Sequence, residues 1–213
     1  MNQAYCNRVR SELRKSPSEW DGRIRQAARR LLSAICFRET AETTFRKTES
    51  ALLPPIAFYY SLYHAVIAAL WVDYRTKPET LRRAKHKTVA VGLASNLVKA
   101  QLIDSSVADL LQELRTFREY ANYTVGGKLP GDHQYLNAIG DCAHLYSKTG
   151  QALANVLDFI RDVSIAAESS PSISERIMVT IGDDIGDDVY NMYLAEEDQK
   201  RVVAYLLAKK LTT

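Results

Sequence analysis

Residues 54–73 read "PPIAFYYSLYHAVIAALWVD". Two prolines open the stretch, and the first turn of a helix is where proline costs least, because its missing N–H has no intrahelical partner there. Beyond them, apolar side chains recur nearly all round a helical wheel. A helix of this kind has no face to give to water, so it reads as the central member of a bundle. The apolar run extends from Leu52 to Val72, but Pro54, Pro55, Ser61, His64 and three tyrosines interrupt it. It therefore reads as a buried core helix and not as a membrane span.

The flanking sequence agrees with an all-α fold. In 213 residues there are only nine glycines and six prolines, and 46% of the chain is hydrophobic, which suits helices with short connections in one domain plus a small appendage. Before the central helix, "PSEWDGRIRQAARRLLSAICFRE" offers Ser16 or Ser18 as an N-cap and spaces Ile24, Ala28, Leu31 and Ile35 by three and four residues. This predicts an amphipathic helix with a strongly basic outer face. The polar, threonine-rich residues 37–49 read as either an exposed helical extension or a loop.

After the central helix comes a connection, "YRTKPETLRRAKHK", broken by Pro78. A helix over about 86–102 follows, with Val89, Leu93, Leu97 and Ala100 as its buried row. Asp104 or Ser105 caps the next, whose core positions are Val107, Leu110, Leu111, Leu114 and Phe117; Gly126, Gly127 and Pro130 stop it. From Asp132, Leu136, Ile139, Ala143, Tyr146, Gly150, Leu153, Leu157 and Ile160 form a heptad seam, which packs within the bundle or against a second copy of the chain. The expected architecture is an up-and-down bundle of four to five core helices over 1–165. A C-terminal appendage covers 172–213, in which "RIMVTIG" fits a short strand and "LAEEDQKRVVAYLLAKKL" an amphipathic helix.

The net charge of +3 conceals an asymmetry. Residues 1–100 hold 18 Lys+Arg against 8 Asp+Glu, whereas residues 101–213 hold 10 against 17. The first half is a surface for nucleic acid or an acidic partner, or it attracts the acidic half within one bundle or a dimer. The three cysteines are far apart and lack metal-ligand spacing, and the N-terminus lacks the apolar centre of a secretory signal, so a reduced, cytoplasmic protein is expected. Asp183, Asp184, Asp187 and Asp188 in "IGDDIGDD" read as a solvated acidic turn, because the calcium-loop pattern is absent. No metal or cofactor is expected. No GxSxG, HExxH or Walker-type motif occurs in the chain, which excludes the usual hydrolase and nucleoside-triphosphatase patterns.

One helix carries a charge where its pattern wants an apolar group. With Val107 as zero on "IDSSVADLLQELRTFREYANY", Arg118 falls at about 20°, in the middle of the apolar stripe, and Arg115 and Asn122 lie along its shoulder at about 80° and 60°. A guanidinium in a core stripe needs a carboxylate, carbonyls or an opening to solvent. Either Arg118 and Arg115 grip a phosphate with Asn122 beside them, or Arg118 pairs with an acid on a neighbouring helix. His64, one turn after Tyr60, is a second candidate; His86, His133 and His144 have no recognisable partner spacing.

Two stretches carry a resemblance. "AFYYSLYHAVIAAL" resembles the Tyr- and His-bearing second core helix of HEPN-domain proteins, and "LLQELRTFREYANY" resembles their Arg-bearing helix in the variant ending Arg-x-x-Ala-Asp-Tyr. The intervening "KHKTVAVGLASNLVKAQLI" is similar as well. The resemblance covers roughly residues 20–160 and implies an α-helical bundle that often dimerises across a cleft lined by Arg-bearing helices. Active members are metal-independent ribonucleases, some of them toxins of toxin–antitoxin or defence systems, whose Arg is followed after four to six residues by His. Here the sequence after Arg118 is Glu-Tyr-Ala-Asn-Tyr-Thr-Val, with no histidine.

The sequence therefore implies a non-catalytic module binding RNA, a nucleotide or a protein partner through Tyr60, Arg115, Arg118 and Asn122. The alternative is a ribonuclease in which Arg118 acts with His64 or Tyr123. A purely structural homodimer is the third reading.

Overall fold

The computed structural model describes residues 1, 3–48, 53–123, 142–183, 200 and 204. Among the described residues the regular structure is wholly helical. The elements are α1 (Gln3–Lys15), α2 (Pro17–Thr48), α3 (Leu53–Val72), α4 (Pro78–Arg82), α5 (His86–Gly92), α6 (Ser105–Tyr123), α7 (Cys142–Ala167) and α8 (Ile173–Asp183), with a π-helical segment (Leu93–Val98) continuing α5. An all-α bundle was the expectation, and it is what the chain forms.

The centre is α3, which buries residues on every side, from Phe58 and Tyr59 to Trp71 and Val72. It contacts α2, α4, α5, α6 and α7. The longest pairing is antiparallel with α2: Arg23 near the start of α2 reaches the carbonyls of Trp71 and Asp73, while Phe37, further along, meets Tyr60. The predicted anchors Ile24, Ala28, Leu31 and Ile35 are all buried. So are Val107, Leu110, Leu111, Leu114 and Phe117 on α6. Asp104 caps α6 by accepting from the Ser106 N–H at 2.8 Å.

Five local expectations change. Residues 37–48 continue α2 as helix, and four of their polar side chains, Arg38, Glu39, Glu42 and Thr43, are buried, while Arg46 and Lys47 stay exposed. Arg23 leaves the basic face too, donating to the carbonyl oxygens of Trp71, Asp73 and Thr76. Ala100 is exposed, because the α5 segment widens to π geometry and ends at Val98. On α7 the buried row runs through Cys142, Leu145, Thr149, Ala152, Val156 and Phe159 beside Leu153, Leu157 and Ile160, leaving Ala143 exposed, so this part of the seam packs inside the bundle against α3.

The fifth change is at "RIMVTIG", which lies within α8 and not in a strand. The preceding "SISE" decides it. Ser172 and Glu175 form a reciprocal capping box, the Ser172 N–H donating to Glu175 Oε2 at 2.6 Å and the Glu175 N–H to Ser172 Oγ at 3.2 Å. That start sets a helical register in which Ile173, Ile177 and Ile181 enter the same hydrophobic cluster as α2 and α7. The predicted stop at Gly126, Gly127 and Pro130, the seam positions Leu136 and Ile139, Asp184, Asp187, Asp188 and nearly all of the C-terminal amphipathic segment lie outside the described residues.

The polar patch on α2 is built as an interlock. The Arg38 guanidinium stacks on the Tyr146 ring at 3.6 Å and pairs with Glu39 at 2.7 Å, and the Tyr146 hydroxyl donates back to Glu39. Gly150, one turn after Tyr146, makes room: a Cβ there would lie 2.6 Å from Arg38 Nη2. Gly22, in the first turns of α2, has nothing within 4 Å of the same added atom. Gly150→Ala should therefore lose about 1–3 kcal/mol of stability by overpacking. Gly22→Ala should gain about 0.5–1 kcal/mol from helix propensity alone. Urea denaturation of the two variants measures both signs.

Candidate functional site

Three helices meet around the side chain of Arg118. α6 delivers the arginine along its apolar stripe, and it is only 8% exposed. α3 brings Tyr59 and Tyr63, one turn apart, to the same side, and α5 opens with His86. The Arg118 guanidinium carbon lies 5.1 Å from the centre of the Tyr59 ring, in reach of a cation–π contact. Arg118 Nη1 donates to His86 Nε2 at 3.1 Å, and the other ring nitrogen, Nδ1, is 2.5 Å from the Tyr59 hydroxyl. The Tyr63 ring packs on His86 at 4.7 Å between centroids, and its hydroxyl donates to the carbonyl of Ala84 at 3.2 Å.

These contacts fix a protonation state. Arginine can only donate, so His86 Nε2 is the acceptor and its lone pair is unprotonated; the neutral ring then carries its proton on Nδ1 and donates it to Tyr59. Electrostatics agree, since partial desolvation, then Arg118 and Arg115, hold the His86 pKa below the ordinary histidine value, with Glu119 acting in the opposite sense. Burial pushes the Tyr59 hydroxyl up to about 12, against the pull of Arg118. At neutral pH the phenol keeps its proton and the imidazole is free of charge.

Among the described residues no carboxylate pairs with Arg118, and its Nε is buried without a hydrogen-bond partner. The ion pair to an acid on a neighbouring helix, which the sequence left open, does not form there. Arg115 occupies the half-exposed shoulder expected of it but donates to Glu119 on its own helix at 2.8 Å. Asn122 and Tyr123 lie on the last turn of α6, and their side chains are outside the described residues.

His64 does not reach Arg118. It faces α2, where Arg30 Nη1 donates to its Nδ1 at 3.2 Å and the Phe37 ring stacks on it at 5.6 Å. Burial, then Arg30, lowers its pKa to about 4. Tyr60 stands between the two histidines, its ring 6.4 Å from His64 and 6.3 Å from His86. The histidine beside Arg118 is thus His86, 32 residues earlier in the chain, where the basic run "RRAKHK" was the only signal of it. Arg82, Arg83, Lys85 and Lys87 on either side of it are exposed.

Among the described residues no group of three or more His, Cys, Asp or Glu side chains is placed to hold a metal ion. The longest apolar helix, Leu53–Val72, has the length and composition of a membrane span and is largely buried inside the bundle. No protein-family model, no curated protein and no solved structure matches the chain.

The two lowered histidines make stability fall with acid. The unfolded chain takes up protons near pH 6.5, whereas folded His64 resists until about pH 4. Their contribution is therefore complete above the unfolded value and is lost as pH drops through the folded one. Between pH 7 and pH 4.5 His64 should account for about 2 kcal/mol of lost stability. Urea midpoints of wild type and His64→Gln at both pH values measure it, the variant showing the shallower loss.

Proposed function

We propose that the chain is a HEPN-like helical module that binds single-stranded RNA at Arg118 and cleaves it without a metal, using His86 as the proton-transfer group. The observation that carries the reading is the contact between Arg118 and a neutral, partly exposed His86, in a position where, among the described residues, no carboxylate competes for the guanidinium. The resemblance of 52–125 to HEPN proteins and the exposed basic run around His86 point to the same substrate.

The chemistry follows from the residues. A ribose 2′-hydroxyl attacks the adjacent phosphorus, and its proton passes to His86 Nε2 as the new O–P bond forms. Arg118 donates to the non-bridging oxygens as they gain charge. The bond to the 5′-oxygen breaks, and that oxygen takes a proton from solvent, leaving a 2′,3′-cyclic phosphate and a 5′-hydroxyl. Tyr59 is a positioning residue: it accepts from His86 Nδ1 and keeps Nε2 aimed at Arg118.

A second reading, RNA binding without cleavage, draws on the burial of Arg118, whose Nη1 must leave His86 before a phosphate can share both groups. The two separate in one assay. With single-stranded RNA and a chelator, the protein should release cyclic-phosphate products and leave the matching DNA, which lacks the 2′-hydroxyl, intact. His86→Ala should lower the rate by about 100-fold or more. Tyr59→Phe should cost less, and the acid limb of kcat/KM, which reports the free protein, should fall below pH 6.5, because the base works only when neutral. Bound but intact RNA at every protein concentration would favour the binding reading, and no binding at all would end both.

A further inference from the structure

The aromatic rings next to the site have an order that the Arg118 chemistry does not use. Tyr60 leads away from His86 toward α2, where Phe37 packs on Tyr60 at 5.5 Å between centroids with 30° between the planes and on His64 at 5.6 Å with 5°. Phe37 keeps 36% of its surface exposed. The ring thus packs on two aromatic neighbours and still leaves about a third of the residue's surface to solvent. His64 cannot be the reason for the arrangement through its charge, because it stays neutral, with Nδ1 occupied by Arg30.

Cations flank this platform on both sides. Arg30 sits against His64 and has no carboxylate partner among the described residues; beyond it opens a cleft of about 340 Å³, lined by Arg30 with Gln26, Arg82 and Glu19 and not by Phe37 itself. On the other side the rings run into His86 and Arg118. An aromatic face between two phosphate-seeking groups matches the repeat of a single strand, in which bases alternate with backbone charge and stack on rings without regard to their identity.

We propose that Phe37, supported by Tyr60 and His64, is a nucleobase-stacking subsite for an unpaired base of single-stranded RNA, one nucleotide removed from the phosphate held by Arg118. The proposal rests on the RNA reading above and adds to it where the strand lies and what sets its affinity. Stacking acts through any base and fails without one. The strand therefore runs from α5 and α6 across α3 toward Arg30 on α2, and double-stranded RNA, whose bases are not free to stack, is excluded from the subsite.

The test is fluorescence anisotropy with two labelled 12-mers of the same charge, a 2′-O-methyl oligoadenylate and an abasic 2′-O-methyl ribose-phosphate strand, neither of which has a hydroxyl to attack phosphorus, against the full chain. Wild type should bind the adenylate more tightly. Phe37→Ala should weaken adenylate binding about 10-fold and leave the abasic strand within twofold. Phe37→Leu, which keeps most of the apolar bulk and so most of the packing on Tyr60 and His64, should bind like the alanine variant, and both should remain folded at the assay temperature by circular dichroism although each melts below wild type. An Arg118→Lys variant should weaken both strands alike. Equal binding of the adenylate by wild type and Phe37→Ala would overturn the subsite while leaving the RNA reading standing. Equal weakening of both strands, or a change in oligomeric state by light scattering, would assign Phe37 to folding or to a second copy and also overturn it. Failure of wild type to bind either strand would overturn the RNA reading and the subsite together.

Discussion

The structure depends on burying α3 on all sides. A surface helix leaves its terminal backbone groups to water, but the last carbonyls of α3 end inside protein and must be satisfied there. Arg23 does this from α2, donating to the carbonyl oxygens of Trp71, Asp73 and Thr76. Asp73, fully buried, is neutralised by Arg75 at 2.8 Å and accepts from the Tyr5 hydroxyl and from Thr76 Oγ1, each at 3.0 Å. Burial of the ring, and then the negative charge of Asp73, hold the Tyr5 phenol far above its usual range. α1, α2 and the turn after α3 are thus tied to one helix end, and removing one partner of such a buried charge costs roughly 3–5 kcal/mol.

The same centrality builds the site. Because α3 touches helices all round, residues on its different faces serve different neighbours: Tyr59 and Tyr63 face α5 and α6, while Tyr60 and His64 face α2. The aromatic cluster is therefore continuous from Arg118 to Phe37 although its members come from α2, α3, α5 and α6. The π-helical segment after α5 has a related consequence. It frees the carbonyl of Asn96 to accept from Arg75, and the Asn96 amide donates to Thr76 at 2.9 Å, which ties α5 to the knot at the end of α3.

Legibility in the sequence followed how local each constraint is. The central helix, the anchors of α2 and α6 and the Asp104 cap were readable because period and capping act within a few residues. The angle of Arg118 was readable for the same reason. What the sequence hid was pairing at a distance. Arg23 looked like one more charge on a basic face, and nothing near it reveals three carbonyls about fifty residues on. The polar run 38–43 looked solvated because its partners Tyr146 and Gly150 lie more than a hundred residues later. The contact between Arg118 and His86 joins residues 32 apart on different helices, so no helical period reveals it. The strand expected at "RIMVTIG" was a local error: β-branched content outweighed the four-residue capping box before it.

Arg118 itself shows why the absence of an acid beside it among the described residues matters more than the presence of a base. A buried guanidinium is costly when unpaired, and the usual remedy, a carboxylate, would cancel the charge permanently. Here the compensation is partial and neutral: a tyrosine ring, the lone pair of an uncharged imidazole, and an Nε left without a partner. On the reading proposed above, a phosphate reaching such a cation would supply the pairing that none of the described residues provides. The same anion would stabilise a proton on His86, whose present neutrality is enforced by burial and by Arg118 and Arg115. On that reading, binding a phosphate and raising the basicity of the neighbouring imidazole would be one electrostatic event, and the coupling would require only that no carboxylate already occupies the place.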